Sequence, residues 1–201
     1  MKAKLLRMTK KAPGESADAF RKRWITEHKG KQAVVTFSTG EVAAGGKEAP
    51  FDGMSVVYFP NEKAARAASE ALSDEILLVC DEHLMSQKAK AQWKVKVVRT
   101  VYKRKDLSHP QFKDYWLKNH AKLEDRVIVE SPVQRIVASF AIPEPGKEPA
   151  FDGMVELYFN SLEDLRALFA SPIPAMMRKD EENFVQMDAP AIRVVCEELR
   201  P

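Results

Sequence analysis

The sequence predicts an α+β protein made of two tandem βαββαβ units whose sheets pack together as a barrel. Its 201 residues are enough for two units of about a hundred residues each. The tetrapeptide Phe-Asp-Gly-Met at 51–54 recurs at 151–154, and each copy leads into a strand-like segment that ends in Tyr-Phe. Segments with the two-residue period of strands alternate with segments that have the 3.6-residue period of helices.

The internal repeat extends over most of the chain. At an offset of 92, Phe20, Trp24 and His28 correspond to Phe112, Trp116 and His120. The Phe-Asp-Gly-Met copies match at an offset of 100, so the second unit has eight extra residues after its histidine. The first, degenerate unit is placed at 1–94 and the second at 95–201. Further on, Asp81-Glu82 is matched with Asp180-Glu181 at an offset of 99.

The first strand of each unit, at 4–10 and 95–103, mixes apolar and basic residues. A helix follows, and in the second unit Ser108 and Gln111 form the pattern of a capping box at its start. Aromatic and apolar residues then recur every three or four positions, which predicts one buried helical stripe. The stripe consists of Phe112, Tyr115, Trp116, His120, Leu123 and Val127.

The rest of the second unit is predicted to be strand, strand, helix and strand. Apolar segments indicate strands at 133–142 and 153–159, separated by a loop that contains Pro and Gly. A second helix is predicted to begin near Ser161. A segment broken by prolines, 171–188, then leads to a last strand at 191–198.

Elements in this order form an antiparallel sheet with both helices on one face. The other face is apolar and must be covered, and the second unit can cover it. We therefore expect two sheets that face each other as a barrel, closed either within one chain or between two chains.

Composition and charge narrow the class of protein. Apolar residues make up 45% of the chain and charged residues 30%, as in ordinary globular proteins. The net charge of +3 is too small for a nucleic-acid platform. The longest apolar run, 76–80, is too short to cross a bilayer, so we expect a cytoplasmic protein with no membrane partner. Cys80 and Cys196 fit buried thiols better than a disulfide framework.

The sequence lacks the motifs of several enzyme classes. No paired-histidine or Cys-x-x-Cys spacing predicts a metal site, and Asp81-Glu82-His83 is interpreted as a solvated helix end. Neither a glycine-rich phosphate loop nor a Gly-x-Ser-x-Gly elbow is present. RNA-recognition domains share the βαββαβ order, but adjacent Tyr-Phe pairs put only one aromatic of each pair on a given face. We therefore expect no metal and no nucleic acid.

One combination of residues in the second unit is not generic. A basic turn ending at Ser108 precedes Phe112, Tyr115-Trp116 and His120, and Phe-Asp-Gly-Met-Val-Glu-Leu-Tyr-Phe follows at 151–159. This combination resembles the EthD-like family of dimeric α+β barrel proteins. The first unit resembles that family less.

The resemblance implies a ferredoxin-like fold that associates through its sheets, either as a homodimer or between tandem copies. It also implies a pocket between sheet and helices that takes a small aromatic, apolar or polyketide-like molecule. Some members of the wider superfamily carry out cofactor-free reactions there, so we expect no cofactor. The first unit has Arg23 in place of Tyr115 and Val56 in place of Glu156, which points to the second unit as the site.

His120 is the leading candidate for an acid or base. It lies on the predicted buried stripe, four positions after Trp116. A histidine on an apolar face is commonly satisfied by a backbone carbonyl, and this structural role stays open beside the catalytic one. An imidazole is the side chain whose unperturbed pKa lets it exchange a proton near neutrality.

Glu156 is the second catalytic candidate. The two-residue period of its strand puts it between Met154 and Tyr158 on one face. A carboxylate among apolar neighbours must be paired, protonated or solvated. Two interpretations stay open, a salt bridge to a strand residue such as Arg99 and a general acid or base. Tyr158 is likewise either a packed aromatic or a ligand donor.

The second unit supplies a set of candidate pocket residues. Methionines near the prolines either line a pocket or fill apolar space. The substrate-binding candidates are Tyr115, Trp116, Tyr158, Phe140, Phe169 and Met177. The sequence thus predicts a small-molecule binding protein, with His120 as acid or base if it is an enzyme. The alternative is a non-catalytic binding or assembly module.

Overall fold

The computed structural model describes residues 2–40, 50–72 and 76–201. The strands in these ranges are β1 (Ala3–Thr9), β2 (Ala33–Ser38), β3 (Gly53–Phe59), β4 (Ile76–Gln87), β5 (Val95–Val101), β6 (Arg135–Ala141), β7 (Gly153–Phe159) and β8 (Arg193–Leu199). The helices are α1 (Ala17–His28), α2 (Glu62–Glu70), α3 (His109–Tyr115), α4 (Ala121–Glu130), α5 (Leu162–Ala170) and α6 (Ile173–Glu181). A π-helical turn, Trp116–His120, joins α3 to α4.

The strands form one closed antiparallel barrel in the order β1-β3-β2-β8-β5-β7-β6-β4. The first half of the chain contributes β4-β1-β3-β2 and the second half β8-β5-β7-β6, which is the same order. The halves join edge to edge, through β2 with β8 and through β4 with β6. The predicted α+β barrel is therefore confirmed, and it closes within one chain.

The two faces of each strand serve different cores. Leu6, Val98 and Met154 belong to the apolar cluster that fills the barrel. Val97, one residue from Val98, belongs instead to a cluster with Val127 of α4 and with residues of α5. This alternation follows from the two-residue period of a strand. It separates the barrel interior from the space between barrel and helices.

The repeated Phe-Asp-Gly segment has the same structural role in both halves. Its phenylalanine is buried in the barrel core in each copy. The Asp52 carboxylate accepts a hydrogen bond from the backbone N–H of Lys11 (2.9 Å), and Asp152 accepts one from Lys103 (3.0 Å). A Cβ atom at Gly53 would lie 2.7 Å from an α1 phenylalanine ring, so glycine permits the close approach of helix and strand. In both halves the Phe-Asp-Gly motif therefore has a structural role.

The long helical segment of the second half explains the extra residues there. In the first half, α1 ends at His28 and β2 begins at Ala33, whereas in the second half α4 continues to Glu130. The capping box at Ser108 is confirmed, with Gln111 completing it. The π turn between α3 and α4 is a local widening of the helix that is frequent at functional sites.

Two expectations about the chain around α6 are wrong. The segment 171–188, expected only to be broken by prolines, contains α6, because Pro174 lies in its first turn, where proline is tolerated. The match of Asp81-Glu82 with Asp180-Glu181 also fails, since the first pair lies on β4 and the second at the end of α6.

Strand pairing gives the correct correspondence between the ends of the two halves. Lys4 pairs with Cys80 on the neighbouring strand in the way that Lys96 pairs with Cys196. Both cysteines are free and buried, and burial raises the pKa of each thiol to about 12. They are therefore inert thiols in the barrel core.

The segment Asp81-Glu82-His83 lies within strand β4 and is not a solvated helix end. Asp81 is 5% exposed and forms an ion pair with Lys113 of α3. The Nε2 atom of His83 lies 3.1 Å from a carboxylate oxygen of Asp81. The segment helps to fix α3 on the barrel. None of the helices in the described ranges is long and apolar enough to cross a membrane.

Candidate functional site

A cavity of about 190 Å³ lies between the outer face of the barrel and the helices of the second half. Strands β5, β6, β7 and β8 face it from one side, and the π turn, α4, α5 and α6 from the other. The apolar lining includes Val97, Val155, Leu157, Leu168, Ile173 and Met177. The polar lining consists of Arg99, His120, Glu124, Arg178, Glu181 and Arg193. Apolar walls with a few polar groups are typical of small-molecule sites.

His120 lies at the end of the π turn and is 3% exposed. Its Nδ1–H donates to Oδ2 of Asp180 on α6 (2.7 Å), and the hydroxyl of Tyr115 donates to Oδ1 of the same carboxylate (3.0 Å). Because a carboxylate only accepts, Nδ1 carries the proton and Nε2 of the neutral ring keeps the lone pair. The bond to a backbone carbonyl that is common for buried histidines occurs at His28, which binds the Trp24 oxygen (2.7 Å).

The protonation state of His120 follows from its surroundings. Burial lowers the pKa of His120 below its usual value, while the bond to Asp180 and the charge of Glu181 act in the opposite direction. The imidazole is therefore neutral at pH 7. A neutral imidazole with a lone pair on Nε2 is the form that a proton acceptor requires.

Glu124 on α4 is a second titratable group of the cavity, and it is 1% exposed. Its Oε1 accepts a hydrogen bond from the indole N–H of Trp116 (3.1 Å), and its Oε2 has no partner among the described residues. Burial raises the pKa of Glu124 to about 7, against the opposing effect of the Trp116 bond. The carboxyl group is thus largely protonated just below neutral pH.

Three arginines line the same cavity. Arg99 binds Glu181 through two nitrogens, at 2.5 and 2.9 Å. Arg193 lies directly opposite Arg99 on the neighbouring strand, and Arg178 faces the cavity from α6. Burial lowers the pKa of Arg193, and the charges of Arg99 and Arg178 lower it further, while the charge of Glu181 acts in the opposite direction. Positive charge therefore accumulates at the lining.

The structure brings several predicted residues to this cavity. Its lining includes Trp116, His120, Phe169 and Met177. Phe140 and Tyr115 lie one layer behind. The Phe140 ring packs edge-on against Trp116 with 5.2 Å between centroids, and Tyr115 stacks on Phe184 at 5.1 Å. These two residues support the cavity wall.

Glu156 and Tyr158 lie inside the barrel, on the face of β7 opposite the cavity. The Oε1 atom of Glu156 accepts hydrogen bonds from Lys96 Nζ (2.6 Å) and from the Tyr158 hydroxyl (3.2 Å). The ion-pair partner is thus Lys96, whereas Arg99, the partner suggested by the sequence, faces the cavity. Burial alone would raise the pKa of Glu156, but the charges of Lys96 and Lys4 hold it below its usual value.

The first half repeats the ion pair inside the barrel but not the cavity site. Lys4 binds Glu82 there (2.8 Å), as Lys96 binds Glu198 (2.8 Å) in the second half. A cavity of about 450 Å³ between α1, α2 and the barrel includes His28. The Nδ1 of that histidine binds the helix backbone, and within the described ranges no carboxylate forms a hydrogen bond with the ring.

Six polar residues of the site were missed in the sequence: Arg99, Glu124, Arg178, Asp180, Glu181 and Arg193. Glu124 has a detectable signal, since it follows His120 by four positions and so lies on the same helical stripe. Arg99 and Arg193 lie at positions of β5 and β8 that alternate with barrel-core residues, which is a weaker signal. No sequence signal identifies Asp180, because α6 was not predicted.

The fold and cavity define an eight-stranded α+β barrel with a ligand-sized pocket between its outer face and its helices. A family model described as EthD domain matches residues 104–188. The matched part contains α3 to α6 and all the cavity residues named above except Arg99, Arg193 and Val97. The second half of the chain is thus similar to the EthD domain over the segment that forms most of the cavity.

Solved structures share the fold at low sequence identity. An anthrone oxidase-like protein superposes with a TM-score of 0.64 and 9% identity, over 99% of this chain and 91% of its own. A single-site mutant of chlorite dismutase from Candidatus Nitrospira defluvii superposes with a TM-score of 0.55 and 10% sequence identity. The match covers 100% of this chain and 91% of the mutant's chain. Chlorite dismutase from the same organism in complex with imidazole has a TM-score of 0.53 and 10% sequence identity, and the match covers 98% of this chain and 90% of its own. No curated protein sequence matches the chain. These likenesses establish the fold alone.

Proposed function

We propose that the cavity beside His120 binds a small aromatic molecule and that His120 exchanges a proton with it in a cofactor-independent reaction. The observation that carries the proposal is the His120–Asp180 pair at the edge of a cavity whose walls are mainly apolar and whose polar lining includes three arginines. Asp180 holds Nδ1, and Nε2 is left for the ligand. Glu156 lies on the other face of β7 and is outside the proposed site.

The cavity volume limits the size of the ligand. An apolar cavity of about 150 Å³ accommodates one benzene ring. A cavity of about 190 Å³ therefore fits a single substituted ring. A larger polyketide-like molecule would place one terminal ring here and extend past Phe169, which lines the cavity and is 39% exposed.

The chemistry that the site supports is removal of a proton from a weakly acidic hydroxyl. A phenolic or enolic O–H placed at Nε2 of His120 would transfer its proton to that nitrogen. The imidazolium that forms would be stabilised by Asp180 through the existing Nδ1–H bond. The ligand would then carry a negative oxygen in a cavity lined by arginines.

The structural neighbours support an aromatic ligand. One is described as anthrone oxidase-like, and an anthrone is an aromatic ketone. Another is described in complex with imidazole, a small planar ring. Both proteins are only distantly similar in sequence. They therefore support the kind of molecule that is proposed to bind, but not the reaction.

The two halves, 1–94 and 95–201, are inferred to be ferredoxin-like copies of one ancestral unit. Their strand order is the same. Equivalent ion pairs, Lys4–Glu82 and Lys96–Glu198, lie inside the barrel. In this interpretation the second copy carries the site and the first copy completes the barrel.

Calorimetric titration with a panel of phenols and small hydroxylated aromatics tests the proposal, with proton release or turnover followed in parallel. We expect at least one compound to bind, and His120→Asn to weaken binding, since asparagine can still donate to Asp180 but offers no base. His28→Asn is the matched control in the first half and should bind normally. Binding without any turnover would support the alternative, a non-catalytic binding module. Failure of the whole panel to bind would contradict the proposal, as would equal effects of the two substitutions.

A further inference from the structure

We infer that the ligand of this cavity is an aromatic carboxylate whose anionic oxygens are bound by Arg193 together with Arg99. The inference rests on the proposed function and specifies its ligand. The observation behind it is a pair of neighbouring arginines of which one, Arg193, forms no hydrogen bond or ion pair within the part of the chain that the structure describes.

Arg193 and Arg99 are cross-strand neighbours on the outer face of the barrel. They are direct partners in the β5–β8 register, and both line the cavity. Like charges at directly opposite positions destabilise a sheet. An opposing negative charge is therefore required to make this placement favourable.

The carboxylate of Glu181 forms hydrogen bonds with only one of the two arginines, although its charge also acts on Arg193. Both oxygens of Glu181 are bound to Arg99. Arg193 is half-buried, and within the described ranges no side chain or backbone oxygen forms a hydrogen bond or ion pair with it. The Nε–H of Arg99 is also buried without a partner in this part of the chain. Donors suited to an anion thus remain unused.

The other charged groups of the cavity do not change this balance. Arg178 adds a further positive charge from α6. Asp180 is bound by His120 and Tyr115. Glu124 is buried with one oxygen unpartnered among the described residues, and burial favours its neutral form. Below about pH 7, the three guanidinium groups of the described lining therefore face the ionised carboxylate of Glu181, while the Asp180 carboxylate is not part of the lining.

A carboxylate is the anion that this geometry suits. The guanidinium group is planar and binds the two oxygens of a carboxylate through parallel N–H groups. The apolar walls at Val155, Leu157 and Leu168 are available for the ring. A second substituent, a hydroxyl, would be the group offered to Nε2 of His120, which lines the same cavity. A hydroxylated benzoate or phenylacetate has these three features.

The test compares an acid with its neutral isostere. Binding of 4-hydroxybenzoate and 4-hydroxyphenylacetate is measured by calorimetry at about pH 6.5, where Glu124 is mostly neutral, against the corresponding amides. We expect at least one acid to bind about tenfold or more tightly than its amide, with affinity falling as salt is raised. Arg193→Gln should remove this preference, and Arg193→Lys should retain part of it. Arg126→Gln, on the exposed side of α4, is the control and should leave it unchanged.

Stability provides a second measurement. An arginine that served only the fold would destabilise the protein when replaced. An arginine that faces another arginine should, on replacement by glutamine, leave the melting temperature of the ligand-free protein unchanged or raised.

The outcomes separate this inference from the proposed function. If the amides bind as tightly as the acids, or if Arg193→Gln leaves the preference intact, the anionic ligand is wrong while the aromatic site stands. If neither acids, amides nor neutral phenols bind, both proposals fail. A large fall in melting temperature for Arg193→Gln would also overturn the inference, because it would assign the arginine a structural role.

Discussion

The Nδ1 atom of His120 lies 2.7 Å from Oδ2 of Asp180, a residue 60 positions further along the chain. The equivalent histidine of the first half, His28, uses its Nδ1 for the Trp24 carbonyl of its own helix. The difference has two causes. In the second half the carbonyl of Trp116 accepts the i+5 bond of the π turn, and α6 brings a carboxylate to the freed imidazole.

Asp180→Asn tests the role of this carboxylate. Because the bond to Asp180 raises the pKa of His120 against the effect of burial, we expect the pKa to fall further in the variant. Loss of a charge-assisted hydrogen bond should also weaken ligand binding by about tenfold or more. The imidazole titration is followed by NMR, and affinity by calorimetry.

Glu182→Gln is the control for this prediction, since Glu182 is exposed and its carboxylate binds only Lys179 among the described residues. It should leave both measurements unchanged. A pKa of His120 that stays constant or rises in Asp180→Asn would show that the pair does not hold the imidazole as described.

Glu124→Gln should change the pH dependence of folding stability. The pKa of Glu124 is about 7 in the folded protein and near 4.5 when unfolded. Between these values the unfolded chain releases a proton that the folded protein retains, so this group makes stability fall as pH rises. Since one pKa unit corresponds to about 1.4 kcal/mol, the variant should gain about 1–3 kcal/mol relative to wild type at about pH 8.

Below pH 4.5 the two proteins should be equally stable, because the carboxyl is protonated in both states. Urea denaturation at about pH 4, 6 and 8 measures the difference. Glu130→Gln, on an exposed position of the same helix, should show no such trend. The prediction is wrong if Glu124→Gln loses stability relative to wild type as the pH is raised across this range.

Trp116→Ala should destabilise the protein by roughly 3–5 kcal/mol, as expected for a large aromatic removed from a core. Trp116 is 2% exposed and packs against Phe112, Phe140 and Phe184. Trp93, which is half-buried and contacts Tyr158, provides the comparison. Its replacement by alanine should lower the stability of the protein less. Equal midpoints in urea for wild type and Trp116→Ala would contradict the prediction.

The fold was predictable because its signals lie within single elements. The capping box at Ser108 and the strand at 153–159 depend on local periodicity and capping, and the structure confirms both. The internal repeat then indicated that the sheet of each unit is covered by the sheet of the other unit. The ion pair of Glu156 was harder, because choosing between Lys96 and Arg99 requires knowing which face of β5 points into the barrel.

The candidate site was predictable only in part, for the same reason. His120 and Trp116 lie on one helical stripe, so sequence spacing brings them together. Asp180 depends on α6, whose start was hidden by two prolines that in fact occupy its N-cap and its first turn. The opposition of Arg99 and Arg193 depends on the register of β5 and β8, which no local pattern specifies.

Lys96→Met should be the most destabilising change inside the barrel. Lys96 is 1% exposed and holds both Glu156 and Glu198, so its loss leaves two carboxylates unpaired and should cost roughly 3–5 kcal/mol.

The first half supplies the matched control for Lys96→Met. It has Val56 where the second half has Glu156, and it retains the ion pair Lys4–Glu82 (2.8 Å). Glu156→Val copies that arrangement, because Lys96 would still bind Glu198. Replacing a buried ionic group by an apolar one of suitable size is often neutral or stabilising. We therefore expect Glu156→Val to change stability by about 1 kcal/mol or less in urea denaturation, and Lys96→Met to be partly rescued when combined with it. A large loss of stability for Glu156→Val alone would contradict this prediction, because it would show that Glu156 stabilises the barrel in a way that has no equivalent in the first half.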